Sequence, residues 1–161
     1  MSTTTISTIL GSAVRPQSTA FPYARWTSTA NPVTTVPNTT PYVMQGTGSW
    51  SSDSDQTIVS AYSNSKGLVV PYTGIWSLNA EARWNNVSSS TSTEIWISVS
   101  GPGVTNSFEI GHTQGLNMNS TSASFTGYLQ AGAQITPTLY CTGGPLSTSY
   151  MVMNFQCQKN Q

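Results

Sequence analysis

Along residues 76–84 the chain alternates strictly: Trp76, Leu78, Ala80, Ala82 and Trp84 fall on one side, and Ser77, Asn79, Glu81 and Arg83 on the other. A period of two puts successive side chains on opposite faces of an extended backbone, so this segment predicts a half-buried β-strand. The pattern recurs downstream. Ile95, Ile97 and Val99 alternate with Trp96 and Ser98 until Gly101-Pro102-Gly103 ends the run. Ala123, Phe125, Gly127 and Leu129 alternate with Ser124, Thr126 and Tyr128, and Ile135, Pro137, Leu139 and Cys141 make a further inward row. From Tyr150 to Cys157, Met151, Met153, Phe155 and Cys157 share one face. No segment repeats apolar residues at i, i+3, i+4 and i+7 over three turns, so no helix is expected. Short strands between Gly/Pro turns, without an internal repeat, predict an all-β jelly-roll sandwich.

A chain of 161 residues is long enough for one domain with its own core. Residues 1–20 are rich in Ser and Thr with little periodicity and read as an extended N-terminal arm; the jelly-roll domain is expected over 21–161. A second irregular stretch lies between Asn31 and Pro41, where Pro32, Pro37 and Pro41 block regular ladder pairing.

Charge changes the picture more than size does. Only 6% of the residues are charged, against about 25% in an ordinary soluble domain, and the net charge is zero. The ten charges are scattered, which argues against a nucleic-acid partner, because phosphate binding needs clustered Lys and Arg. A neutral, hydroxyl-rich surface opposes association only weakly and suits a protein packed against neighbours. The N-terminal sequence Met-Ser-Thr-Thr-Thr-Ile-Ser-Thr lacks a basic start and an apolar run, and no stretch approaches the roughly 20 apolar residues of a membrane span. The expectation is therefore a chain made in the cytosol, with no membrane partner.

Candidate chemistry is sparse. His112 is flanked by Gly111 and Gly115 and reads as a surface loop histidine; no Gly-x-Ser-x-Gly element supplies an activated nucleophile, so no enzyme is expected. Asp53-Ser54-Asp55 offers either two carboxylates of a calcium loop or a solvated turn. The spacing of Cys141, Cys157 and His112 matches no structural zinc pattern, and no cofactor is expected. A reversal at Gly143-Gly144-Pro145 would place Cys141 beside the turn and Cys157 far along the returning strand, beyond disulfide reach, so two free, half-buried thiols are expected. Trp50, followed by Ser51-Ser52-Asp53, and the loops 85–93, 101–107 and 143–149 have the mixture of aromatic and hydroxyl groups that sugars bind. Trp50, Asp53 and Asp55 are thus the candidate ligand-binding residues.

The segment Val69-Val70-Pro71-Tyr72-Thr73-Gly74-Ile75-Trp76-Ser77-Leu78 resembles the strand entry of the globular heads of complement C-one-q and of the tumour necrosis factor superfamily. Later segments follow in the same order: Glu94 to Val99 stands at the short central strand, Phe125 to Ile135 resembles the "leucine-x-x-glycine" element, and Tyr150 to Cys157 resembles the closing aromatic strand. Ala20-Phe21-Pro22-Tyr23-Ala24 stands at the opening one, so the resemblance covers about 21–158. It implies a jelly roll of about ten strands that forms a homotrimer, with one sheet lining a three-fold axis. Carried onto that sheet, Tyr72, Trp76, Tyr128, Tyr150 and Phe155 are the implied trimer-interface residues.

Together these readings point to a virion structural protein: a capsid, cap, decoration or spike-head subunit, made in the host cytoplasm and joined to other virion proteins through residues 1–20. The alternative is a receptor- or glycan-binding tip of a phage tail fibre or bacterial adhesin, whose partner is a host-surface glycan or receptor.

Overall fold

The computed structural model describes residues 21–87, 91–104, 107–114 and 119–159, the third of these spans through its backbone alone. Twelve strands and one short helix follow one another: β1 (Tyr23–Ser28), β2 (Thr34–Val36), β3 (Tyr42–Val43), β4 (Gly48–Trp50), α1 (Gln56–Ala61), β5 (Tyr62–Ser63), β6 (Gly67–Val69), β7 (Gly74–Trp84), β8 (Ser92–Ser100), β9 (Ser107–Gln114), β10 (Ser120–Leu129), β11 (Gln134–Thr142) and β12 (Leu146–Lys159). They make two antiparallel sheets. The first runs β10-β7-β12-β1-β4, with β2 also on β12; the second runs β5-β6-β11-β8-β9, with β3 also on β11. From β7 onward the chain passes back and forth between the sheets, which is the jelly roll that the alternation predicts. The count exceeds ten because several strands are pairings of only two or three residues.

The inward rows interdigitate between the sheets. Trp76, Leu78 and Trp84 of β7 and Met151, Met153 and Phe155 of β12 meet Ile95 and Ile97 of β8 and Ile135 and Leu139 of β11, all at most 1% exposed. Burial of such side chains, worth about 1.5–3 kcal/mol each, is what closes the sandwich. Two hydroxyls are buried with them and satisfy each other: Thr93 of β8 and Thr121 of β10 lie 2.9 Å apart.

The long β7–β12 ladder shifts register between Thr148 and Tyr150. Thr148 faces inward opposite Trp84, and the extra residue Ser149 flips the phase, so that Tyr150 turns outward opposite Arg83 and Met151 turns inward. A β-bulge of this kind re-aims every side chain that follows it.

Several sequence expectations need correction. A helix exists: α1 is six residues long, too short for any 3.6-residue periodicity, and is started by a side-chain cap. His112 lies in strand β9, paired with Glu94 through the backbone, and is not a loop residue. The chain does turn at Gly143-Gly144-Pro145, both glycines at positive φ, but it crosses to the other sheet there.

Cys141 and Cys157 are free, as expected, yet fully buried and not half-buried. Burial raises the Cys157 thiol from 9.0 to about 11, and it raises Cys141 in the same direction. The folded chain therefore holds these protons more tightly than the unfolded one once the pH exceeds 9.0. The associated stability is complete below pH 9.0 and drains away as the pH climbs to about 11. Urea midpoints are expected to fall across that window, while iodoacetamide leaves both thiols of the native chain unmodified at neutral pH. Prompt alkylation without unfolding would contradict this placement.

Candidate interaction surface

Both sheets turn one face to the core, so functional contacts fall on the two outer faces and the sandwich ends. On the first sheet the register lines up outward residues in rows. Tyr128, Ile75 and Gln158 form the first, and Thr126, Ser77, Gln156 and Tyr23 the second. Ser124, Asn79, Asn154 and Arg25 follow, then Ser122, Glu81, Val152 and Thr27, and finally Ser120, Arg83 and Tyr150.

This face has three zones. At one corner Phe21, Ile75 and Tyr128 are exposed large side chains, at 45%, 45% and 52%. Phe21 and Ile75 border a shallow hollow together with Ser77, Thr126, Gln156 and Gln158. The middle is mostly amide and hydroxyl, with Arg25, Glu81 and Val152 among them, and it dips into a depression of about 300 Å³ lined by Asn79, Glu81, Ser122, Ser124, Val152 and Asn154. At the far end Arg83 pairs with Glu81 at 3.2 Å, and its guanidinium lies 5.2 Å from the centre of the Tyr150 ring. The pair is exposed and contributes less than about 1 kcal/mol.

The implied interface residues divide by which side of the sheet they occupy. Tyr128 and Tyr150 lie on the open face. Trp76 and Phe155 lie in the same sheet but point into the core, 0% exposed, so neither can touch a neighbouring copy. Tyr72 is half-buried at the sandwich end and engaged by its own chain. Its ring stacks on Trp76 at 12° and carries the Lys159 ammonium 3.5 Å from its centre. Its hydroxyl donates to Asp55, and its carbonyl accepts from the Trp76 indole N–H at 2.8 Å.

The candidate ligand residues separate as well. Asp55 is the N-cap of α1: its Oδ1 accepts from the backbone N–H of Thr57 at 2.8 Å and of Ile58 at 3.3 Å, satisfying two donors of the first turn. That role, with the Tyr72 bond, replaces both the calcium loop and the solvated turn for this carboxylate. Asp53 is exposed in the adjacent turn. Among the described residues no three His, Cys, Asp or Glu side chains are grouped to hold a metal ion. Trp50 is not a free platform: it packs edge-on against Tyr62 at 5.5 Å and tilted against Phe155 at 6.2 Å. Tyr62 itself is half-buried; the loss of solvent around its hydroxyl pushes the pKa up, and that hydroxyl donates to the Met44 carbonyl at 2.5 Å.

Of the candidate loops, residues 88–90 and 105–106 lie outside the described residues, as do the arm 1–20 and the side chains of Glu109 and His112. Ile75 and Phe21 went unnoticed in the sequence. Alternation signals Ile75, since it sits opposite Trp76, whereas Phe21 precedes the first strand and carries no such mark.

No protein-family model matches the sequence, and neither does any curated protein. Among solved structures the fold is similar to Eiger, a TNF from S. frugiperda, with a TM-score of 0.60 and 11% identity over 88% of this chain and 96% of that one. It is similar to the globular domain of the zebrafish complement 1qA protein, with a TM-score of 0.56 and 11% identity over 86% of this chain and 99% of that one. Murine APRIL gives a TM-score of 0.53 and 15% identity over 83% and 98% of the two chains. At such identities the likeness is one of fold, and the fold is the jelly roll implied by the segments from Val69 onward.

Proposed function

We propose that this chain is a non-enzymatic structural subunit that assembles as a homotrimer through the open face of its first sheet, and that its place is in a virus particle. The observation that carries the reading is the composition of that face: an apolar corner of Phe21, Ile75 and Tyr128 beside rows of amides and hydroxyls. Covering the exposed halves of those three side chains is worth about 1 kcal/mol each. The amide and hydroxyl rows both donate and accept, so copies of the same face can satisfy one another; the charges among them are Arg25 and the Arg83–Glu81 pair. Closed rotational assembly of identical subunits is the common outcome for such a surface. The fold supports it too, because the jelly rolls it resembles in sequence imply a trimer.

The virion assignment draws support from the near absence of charge across the chain and from its hydroxyl-rich surface, which suit a subunit held among neighbours. Residues 1–20 are the proposed link to other virion proteins. In density-gradient fractionation of the source that makes this chain, an antibody against the folded domain is expected to detect it in the particle band. Particles from a source expressing the chain without residues 2–20 are expected to lack it. Recovery of the intact chain only in the soluble or membrane fractions overturns the assignment.

A further inference from the structure

The outer face of the second sheet carries an ordered aromatic pair that trimer assembly on the first sheet leaves untouched. Trp96 of β8 and Tyr140 of β11 are diagonal neighbours in the β8–β11 ladder, where Glu94 stands opposite Tyr140 and Trp96 opposite Thr138. Their ring centroids are 4.7 Å apart with planes at 20°. Ile95, Ile97, Leu139 and Cys141 beside them point into the core at 0% exposure, so both rings face outward and are half-buried.

The pair is fixed in place. The Trp96 indole N–H donates to Glu94 Oε2 at 2.6 Å, a short charge-assisted bond that holds the ring plane, and Ser92 Oγ approaches Glu94 Oε1 at 3.5 Å. The surrounding outward positions of the two strands include Ser98, Thr136 and Thr142, which are half-buried, and Thr138, which is buried. Glu94 is the one formal charge on β8 and β11.

We propose that this platform binds a neutral glycan. A sugar ring presents a C–H face, which packs on an aromatic plane, and a rim of hydroxyls, which pair with serine, threonine and carboxylate oxygens. A platform already held by Glu94 loses little side-chain freedom on binding, which favours a weakly interacting ligand. Charge narrows the class. Glu94, opposite His112 of β9 in the backbone ladder, puts a carboxylate beside the rings and disfavours phosphorylated, sulfated or sialylated sugars. A cationic peptide would be drawn to the same carboxylate, but the flanking hydroxyls suit a polyol better than a guanidinium.

The test is binding of the full chain to a printed array of neutral and sialylated glycans, with an arginine-rich peptide as a control. Binding is expected to neutral members and to weaken about tenfold or more in Trp96→Ala and in Tyr140→Ala, about 1.4 kcal/mol or more per ring. Ser98→Arg leaves both rings in place and crowds the platform, so it is expected to weaken binding equally, while each variant keeps the parent circular dichroism. Binding restricted to sialylated glycans or to the arginine peptide overturns the proposal. So does the absence of any glycan binding, or neutral binding that Ser98→Arg leaves unchanged.

Discussion

Trp76→Ala is expected to cost about 3–5 kcal/mol of folding stability, a large share of what a domain of this size possesses. The indole is fully buried between the sheets, stacks on Tyr72 and donates to the Tyr72 carbonyl. Truncation leaves a cavity near one end of the longest ladder, where Trp76 stands opposite Cys157, and removes the donor from that carbonyl. The loss also frees Tyr72, whose hydroxyl reaches Asp55 at the cap of α1. Urea unfolding followed by circular dichroism is expected to show a collapsed midpoint, or no folded baseline at all. A variant that unfolds like the parent and differs only in its association would instead place Trp76 at an interface and contradict the core assignment.

The paired change Ile75→Glu and Tyr128→Glu is expected to do the reverse. Both positions are about half exposed, and substitutions at such surface sites change folding stability by only about 0.5 kcal/mol. Assembly, however, would bring two extra negative charges per chain into a buried apolar corner. Like charges brought together away from water cost several kcal/mol, enough to break a modest interface. Sedimentation velocity is therefore expected to show a folded monomer with the parent urea midpoint. A variant that still assembles would remove the corner from the interface, and one that unfolds would mean that the corner is core.

The contrast between these two experiments follows from a distinction that the sequence already held. Alternation put Trp76 beside Leu78 and Ala80 on the inward side and Tyr128 opposite Phe125 on the outward side, as the structure has them. The family resemblance named only the sheet, and a sheet has two faces; that is why Trp76 and Phe155 were carried to an interface that they cannot reach. Tyr150 is a harder case: counted forward from Leu146 and Thr148 the alternation turns it inward, counted back from Met151 and Met153 it turns outward, and the bulge at Ser149 is what reconciles the two.

What stayed illegible was tertiary. Trp50 sits in a three-residue strand, and its partners Tyr62 and Phe155 are far along the chain, so nothing local showed that its ring was already covered. Asp55 looked like a turn carboxylate because α1 is too short to announce itself, although an aspartate ahead of a brief Thr-Ile-Val run is what an N-cap looks like. Trp96 and Tyr140 could be placed on outward rows by alternation, but their stacking depends on the β8–β11 register, which the sequence does not specify.

In the proposed trimer the open face of the first sheet is covered by two further copies of the same chain. Light scattering coupled to size exclusion measures this directly on the intact protein. A mass three times that of the 17.1 kDa chain, unchanged on dilution through the micromolar range, is the expected result. A particle of 17.1 kDa at every concentration, with Phe21, Ile75 and Tyr128 left in water, would contradict it.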